Sequence, residues 1–256
     1  MPHRPARAAG PNRRAPGPVD PGVNARVGTV IALVASLGLS AAVGATVARA
    51  QPFERALASL RGPRPVTVVL RRDGGHVTAG KDDPRRLRSG VVARSGYDWV
   101  DVAPYAGTDE QWQALVQCVQ SQYDGFAVDI VDQAPATGEY VLAMVGGSSL
   151  ELGFDDTVHG IAPWNGRVID DAVVFVFQSP ADDGQTLCET AAHEVGHALG
   201  LDHSRDCSDI MSYELCGPKQ FQVEASVCGE WDDRSCGNGR ARQSSDAELA
   251  RNVGRR

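Results

Sequence analysis

Three of the chain's six histidines lie within eleven positions, at His193, His197 and His203. A spacing of four residues places the first two imidazoles on one face of a helix, one turn apart, where both can bind one zinc ion. Glu194 follows the first histidine, so its carboxylate is offset around the helix and can reach a water on that metal. These residue types at this spacing predict a metal centre with a general base beside it.

A third ligand is expected from the residues that follow. Gly200 can end the helix in a left-handed turn, which would bring His203 back towards the same metal. Three neutral imidazoles leave a fourth coordination position open, and an open position distinguishes catalytic from structural zinc. We therefore expect one catalytic Zn²⁺ as cofactor, with Glu194 accepting the proton of the attacking water. A histidine pair alone would be weak support, because such pairs also occur on exposed helix faces.

The stretch HEVGHALGLDH, residues 193–203, resembles the metzincin signature H-E-x-x-H-x-x-G-x-x-H of zinc peptidases. Ser204 after the last histidine is similar to matrixins, whereas the sequence MSY at 211–213 looks more like serralysins or astacins. By this resemblance Met211 lies in a Met-turn and forms the hydrophobic floor of the site. The resemblance also implies that Tyr213 ligates zinc or stabilises the tetrahedral intermediate through its hydroxyl.

The resemblance implies a secreted zinc metalloendopeptidase that hydrolyses peptide bonds in a protein or peptide substrate. The alternative is an exported, non-catalytic zinc-binding module with the same fold, although such a module would not need Glu194. A hydrolase acting on something other than peptide also stays open, because the chemistry of zinc-activated water is general. The sequence does not determine which peptide bond is cut.

The elements that must position these residues are indicated by hydrophobic patterning. Strands are predicted at 65–70, 126–132, 140–147 and 170–178, a short strand pair at 91–102, an amphipathic helix at 108–123 and a closing helix at 244–254. This order of elements favours an α/β (α+β) fold in which a helix packs on a mixed sheet. The resemblance implies a metzincin-like zincin fold, with a mixed twisted sheet, a backing helix, an active-site helix and a C-terminal helix.

The sequence also predicts the N-terminal caps of two helices, and the resemblance implies one edge strand. Thr108 is predicted to cap the first helix, with Gln111 completing a capping box. Thr186 and Glu189 would form a second capping box at the start of the active-site helix. By the resemblance, HGIAP at 159–163 is an antiparallel edge strand that binds the substrate backbone.

Residues 1–50 differ in composition from the rest of the chain. Residues 27–48 carry no charge, and Ala48 and Ala50 occupy the small-residue positions of an A-x-A cleavage site. A basic region, an apolar run and such a site predict a secretory signal peptide at 1–50, and a membrane anchor through 27–48 is the alternative. The catalytic domain is then expected at 51–256, outside the cytoplasm.

The expected mature domain is acidic. Removing the six arginines and one aspartate of residues 1–50 from 25 basic and 32 acidic residues leaves a net charge of about −12 on 51–256. An acidic domain argues against nucleic acid and anionic lipid as partners. No stable membrane partner is expected once the leader is cleaved, and a monomer is expected.

All six cysteines lie after residue 117, and an even count in an exported chain indicates disulfides. Six cysteines allow fifteen pairings, among which the sequence does not choose. Short separations favour Cys207–Cys216 and Cys228–Cys236, which leaves Cys118 with Cys188. We expect residues 214–243 to form a Cys-rich insertion after the Met-turn.

The chain departs from the matrixin pattern in its N-terminal part. Matrixin zymogens use a pro-segment cysteine to occupy the zinc, and because no cysteine precedes Cys118, such a switch is not expected. Structural calcium or a second zinc is common in matrixins, and the resemblance leaves both open here, with Asp155, Asp156, Asp170 and Asp171 as acids in suitable loops. Acidic pairs of this kind are more often solvated surface.

Overall fold

The computed structural model describes residues 65–179, 183–214 and 216–256. The predicted leader at 1–50 lies outside these residues. The strands are β1 (Val66–Arg71), β2 (Gly75–Ala79), β3 (Arg88–Ser89), β4 (Trp99–Val102), β5 (Val128–Val131), β6 (Val141–Val145), β7 (Gly160–Ile161), β8 (Val173–Val176), β9 (Ser226–Val227) and β10 (Arg242–Gln243). The α-helices are α1 (Gly90–Arg94), α2 (Asp109–Gln122), α3 (Gly184–Ala198) and α4 (Ser245–Val253), and short 3₁₀ helices occupy Pro84–Arg86 and Ser149–Leu152.

A five-stranded mixed sheet forms the centre of the fold, in the order β5-β1-β6-β8-β7. The first four strands in this order run parallel, and β7 pairs antiparallel with β8 at one edge, with Gly160 opposite Val176. Parallel strands that are buried on both faces read as continuous apolar runs, and every residue of β6 is buried. Strand β7 is the antiparallel edge strand predicted within 159–163, and it contacts the histidine-bearing helix α3.

Two apolar layers cover the sheet. On one face the helices α2, α3 and α4 contribute to a core that includes Val68, Trp112 and Leu249. On the other face a small sheet of β3, β2 and β4, together with α1, encloses Val77 and Phe175. Full burial of such a side chain stabilises the fold by about 1.5–3 kcal/mol. Packing on both faces therefore stabilises the sheet against which α3 packs.

Helix α2 begins at the predicted capping box. Thr108 Oγ1 accepts a hydrogen bond from Gln111 N at 3.3 Å, and Gln111 Oε1 accepts one from Thr108 N at 2.9 Å. The apolar face of α2 is buried and includes Trp112, Leu115, Val116 and Val119. This face brings α2 against α3, and the Cys118–Cys188 disulfide joins the two helices.

The strand pair predicted at 91–102 is wrong in its first half. Residues Gly90–Arg94 form α1, because Ser89 caps this helix by accepting a hydrogen bond from Val91 N at 3.1 Å. Val91 and Val92 favour strands by propensity, but both are buried in the second apolar layer as helical residues. Tertiary packing and the cap therefore decide the conformation of this segment.

The predicted fold class is confirmed: a mixed α/β sheet with a backing helix, α2, the histidine-bearing helix, α3, and a C-terminal helix, α4. Ser244 caps α4 by accepting a hydrogen bond from Ala247 N at 3.1 Å. Within the described ranges, no helix has the length and apolar character needed to cross a bilayer.

Candidate metal centre

Helix α3 buries His193 and His197 on one face. It begins at Asp183, whose Oδ1 accepts a hydrogen bond from Thr186 N at 2.7 Å. The predicted capping box of Thr186 and Glu189 is therefore wrong, because an acidic side chain three residues earlier supplies the cap. The i, i+4 spacing brings the two imidazoles together, with ring centroids 4.7 Å apart.

The helix ends in a Schellman motif at Gly200. This glycine has a φ of +94°, and its N–H donates to His197 O at 2.9 Å, while Leu201 N donates to Gly196 O at 2.9 Å. The turn reverses the chain and brings His203 back to the helix, where its ring centroid lies 4.4 Å from that of His197. The left-handed turn predicted at Gly200 is thus present.

The Nε2 atoms of the three imidazoles converge on one point. His197 Nε2 lies 3.0 Å from His193 Nε2 and 2.9 Å from His203 Nε2. Tetrahedral zinc with Zn–N bonds of about 2.0–2.1 Å places its ligand nitrogens about 3.4 Å apart. The observed spacing is close to this value, so small ring movements would complete three ligands of one ion.

The opposite nitrogens explain why a cation fits between the rings. His193 Nδ1 lies 2.8 Å from Ile210 O, and His197 Nδ1 lies 2.9 Å from Leu201 O. Because a carbonyl can only accept, each Nδ1 carries the proton and each Nε2 presents a lone pair to its neighbour. Two lone pairs 3.0 Å apart repel each other, and a cation between them would turn this repulsion into attraction. The donor set therefore fits a zinc ion.

Burial keeps the three imidazoles neutral. It lowers the pKa of His197 to about 3 and holds the pKa values of His193 and His203 below their usual range. Neutral imidazole is the form that binds zinc. Burial also raises the pKa of Glu194 to about 8, and a nearby divalent cation would oppose this shift by favouring the carboxylate.

Glu194 lies against the edge strand β7. A Cβ atom placed on Gly160 would come within 2.5 Å of Glu194 Cγ and within 2.6 Å of its Oε1. A glycine at this position therefore leaves the space that the carboxylate occupies between α3 and the sheet edge. Sequence analysis did not identify this role of Gly160, because nothing in the spacing of the two residues indicates that they touch.

Met211 lies in a 1,4-turn beneath the histidines. Ser212 N donates to Asp209 O at 3.0 Å, and Met211 N donates to Asp209 Oδ1 at 3.0 Å. The methionine is fully buried, and a Cβ atom on Gly196 would meet its Sδ at 2.7 Å. The structure therefore places Met211 directly under the turn of α3 that carries His193 and His197.

Tyr213 lies beside the third histidine. Its ring centroid is 4.5 Å from that of His203 and 5.7 Å from that of His193, and the residue is 44% exposed. Partial burial, together with the charge of Glu194, raises the pKa of Tyr213 to about 12. The phenol therefore stays protonated and can donate a hydrogen bond. The ring of Trp231 packs against the tyrosine at 5.6 Å.

Three disulfides are present, with the pairing that the short separations favoured: Cys118–Cys188, Cys207–Cys216 and Cys228–Cys236. The Cys207–Cys216 bridge encloses the turn that contains Met211. The Cys228–Cys236 bridge closes a second short loop within the segment predicted as a Cys-rich insertion.

Glu230, in this second loop, is a site residue that sequence analysis missed. Its Oε1 lies 2.6 Å from His203 Nδ1. Hydrogen bonds from Arg234 hold the pKa of Glu230 at about 2, so the group is a carboxylate at neutral pH. The available signal was the position of a glutamate two residues after Cys228, and this position does not reveal a contact with a histidine far along the chain.

Asp202, His203 and Glu230 form a second cluster of potential ligands. Both carboxylate oxygens of Asp202 are already occupied: Arg234 Nη1 and Nη2 donate to them at 2.7 and 2.8 Å, and Gly237 N donates at 2.7 Å. The cluster is therefore an ion-pair network on one side of His203, not a second metal site.

The acids predicted as calcium ligands take part in neither cluster found among the described residues. Asp155 Oδ1 instead accepts hydrogen bonds from the backbone N and the Oγ1 of Thr157 at 3.1 and 3.0 Å. Structural calcium at Asp155, Asp156, Asp170 and Asp171 stays a prediction.

Comparison with known proteins gives one family match and partial matches to relatives. Residues 144–227 match the family model for matrixin. The chain is 32% identical over 85 residues to probable matrix metalloproteinase 095L of Invertebrate iridescent virus 3, covering 30% of this chain and 20% of that protein. It is 45% identical over 49 residues to matrix metalloproteinase-26 of Homo sapiens, covering 18% of this chain and 19% of that protein. The chain spans about a fifth of the length of these relatives.

Among solved structures, metalloproteinase-II from Bacteroides fragilis matches with a TM-score of 0.33 at 14% identity, covering 64% of this chain and 52% of that chain. The family and sequence matches confirm the resemblance to matrixin-like metzincins that the histidine motif indicated.

Proposed function

We propose that this matrixin-like chain is a secreted, zinc-dependent endopeptidase in which Glu194 is the general base. The observation that carries the proposal is the convergence of three imidazoles beside a buried carboxylate, with the Nε2 atoms of His193 and His203 each within 3.0 Å of His197 Nε2. Structural zinc sites use four protein ligands, whereas three imidazoles leave one position for water or substrate. This difference supports a catalytic site.

A zinc ion held by His193, His197 and His203 supplies Lewis-acid polarisation of the scissile carbonyl and lowers the pKa of a water. Glu194 accepts the proton of the attacking water and passes it to the leaving amine. Its position between α3 and β7 keeps the carboxylate out of bulk water. Tyr213 donates a hydrogen bond from its protonated hydroxyl to the oxyanion that develops on the carbonyl.

The edge strand β7 favours a peptide as the substrate. It is the last strand of the five-stranded sheet, so among residues 65–179, 183–214 and 216–256 no strand pairs with the other side of its backbone. An extended peptide that pairs with this edge would pass Glu194 where Gly160 gives it room. Backbone pairing of this kind holds a peptide without depending on its side chains.

The disulfides support an oxidising compartment. Three bridges form among the described residues, and such bridges persist outside the reducing cytosol. They agree with the secretory signal peptide that the sequence predicts at 1–50. We therefore place the peptidase outside the cytoplasm.

Cleavage of an unbiased peptide library by the full chain, with and without a zinc chelator, tests the proposal. We expect chelator-sensitive cleavage, and the library reads the side-chain preference at the same time. Glu194→Ala should lower kcat/KM by about 10²–10⁴-fold or more and still bind zinc, because the lost group handles the proton and not the metal. Glu139→Gln, which changes an exposed glutamate before β6, is the matched control.

A Glu194→Ala variant that cleaves as fast as wild type would contradict the general-base role. Folded wild type that holds one zinc ion and cleaves no peptide would instead favour the non-catalytic zinc-binding module.

A further inference from the structure

We infer that Glu230 is a positioning residue for the third metal ligand, held in place by the disulfide-closed loop of residues 228–236. The inference rests on the zinc site of the proposed function and does not require that the chain cleaves peptides. It concerns which part of the protein sets the geometry of His203.

The three ligands are oriented in different ways. His193 and His197 direct their Nδ1 atoms at the backbone carbonyls of Ile210 and Leu201. His203 directs its Nδ1 at a side chain, the carboxylate of Glu230, at the shorter distance of 2.6 Å. A charged acceptor holds the proton on Nδ1 more strongly than a carbonyl and raises the basicity of Nε2.

Arg234 links this carboxylate to the backbone of the ligand. Its Nη2 donates to Glu230 Oε1 at 2.8 Å, and its guanidinium binds both oxygens of Asp202. Asp202 in turn accepts a hydrogen bond from His203 N at 2.8 Å. The ligand is therefore fixed at its ring by Glu230 and at its backbone by Asp202, and one arginine joins the two acids.

The loop has its own attachments beside the ligand. Gly229 N donates to His203 O at 3.3 Å, and Arg205 Nη1 donates to Glu230 O at 3.0 Å. The Cys228–Cys236 bridge closes the loop, and Arg234 N donates across it to Cys228 O at 2.7 Å. Glu230 is therefore presented to His203 by a short, covalently closed segment.

Partners of this kind that orient a metal ligand typically contribute about 10–100-fold in metal affinity. The test is the zinc dissociation constant of the full chain, measured by competition with a chromophoric chelator and without peptide substrate. We expect Glu230→Ala to weaken zinc binding by about 10–100-fold. Glu230→Gln, which keeps the shape but not the charge, should weaken it less. Glu224→Gln, which changes an exposed glutamate four residues before Cys228, should leave it unchanged.

The visible spectrum of the cobalt(II)-loaded protein gives a second readout. A changed band shape in Glu230→Ala is expected, because the spectrum reports the geometry of the ligands, which a distant structural role would not alter. If Glu230→Ala fails to fold, the isosteric Glu230→Gln decides the question. Zinc affinity and cobalt spectrum equal to those of wild type and of Glu224→Gln would overturn the inference. Because no step depends on cleavage, a chain without peptidase activity would still return a clear result.

Discussion

The two regions that build the candidate metal centre position their side chains in different ways. Helix α3 supplies His193, Glu194 and His197 from fifteen consecutive residues, and the period of the helix alone places them side by side. Residues 201–256 supply His203 and Glu230 through turns, short disulfide-closed loops, and charged contacts that join positions 27 and 32 residues apart. The first region needs only a helix to be correct, whereas the second needs a tertiary structure.

The two regions also differ in the interactions that stabilise them. Helix α3 packs on an apolar sheet, and its buried residues belong to the large hydrophobic core. The region after Gly200 instead buries several polar groups around the site, among them Asp202, Ser204, Asp209 and Lys219. Buried polar groups are costly unless they are hydrogen-bonded, so this region depends on its hydrogen-bond partners, and Asp209 Oδ2 is buried without one among the described residues.

Replacing disulfides should show the division most strongly. Changing both cysteines of Cys118–Cys188 to serine opens a loop whose ends are 70 residues apart and should lower the free energy of unfolding by about 4 kcal/mol. Changing both cysteines of Cys228–Cys236 to serine opens a loop whose ends are 8 residues apart and should lower the free energy of unfolding by about 2.5 kcal/mol. The second change should nevertheless weaken zinc binding more, because Glu230 is then no longer held against His203. Chemical denaturation and zinc titration measure the two effects.

The Cys207–Cys216 bridge is the matched control, with a separation of 9 residues. Its replacement should cost about the same stability as that of Cys228–Cys236, about 2.5 kcal/mol, but affect zinc binding less, because it does not hold Glu230. Losses of zinc affinity that simply follow the losses of stability in all three variants would remove the distinction between the regions.

What the sequence predicts well follows the same division. The strands predicted at 65–70, 126–132, 140–147 and 170–178, the capping box at Thr108 and the end of α3 at Gly200 depend on local patterns, and these are present in the structure. The edge strand within 159–163 came from the family resemblance, and it too is present. Local patterns failed where tertiary packing decides, as in α1, where a serine cap and burial override the strand propensity of Val91 and Val92.

The ion-pair network could not be predicted from the sequence. Asp202, Glu230 and Arg234 are ordinary charged residues in the sequence, and charged residues are usually solvated. Their contacts depend on the Cys228–Cys236 bridge and on which face of the loop meets His203, and no spacing in the sequence indicates either. Gly160 is a similar case, because its importance comes from the approach of Glu194 across the sheet edge.

The polar region should also carry a distinct pH dependence of stability, through Asp209. Burial raises the pKa of this carboxyl from 3.8 to about 6, against hydrogen bonds from Met211 N and from serine hydroxyls. Its folded-state pKa lies above the unfolded value, so its contribution to stability is present below about pH 4 and is lost as the pH rises through about 6. A shift of two units corresponds to about 3 kcal/mol.

Asp209→Asn removes this titration and can keep the acceptor for Met211 N. The free energy of unfolding of the variant, minus that of wild type, should therefore increase between pH 4 and pH 7, by at most about 3 kcal/mol. Denaturation at a series of pH values measures it. Asp232→Asn, in the exposed part of the 228–236 loop, is the comparison. If the difference in free energy of unfolding stays constant or falls across this pH range, ionisation of Asp209 does not destabilise the fold.

The smallest expected effect comes from the residue that joins the two regions. Gly200 has a φ of +94°, and a Cβ atom there would lie 2.9 Å from Asn252 Nδ2 and 3.0 Å from Arg167 Cα. Gly200→Ala should therefore cost about 2 kcal/mol of stability from backbone strain, with some loss of zinc affinity as His203 shifts. Gly184→Ala, at the other end of the same helix, would place its Cβ more than 4 Å from any atom of the residues that the structure describes and should be neutral or slightly stabilising. Thermal unfolding and zinc titration of the two variants measure the effect of a change at each end of α3, and only the Gly200 end leads into the loop region. If Gly200→Ala loses stability but binds zinc as wild type does, the position of His203 is set by the Glu230 loop and not by the helix end.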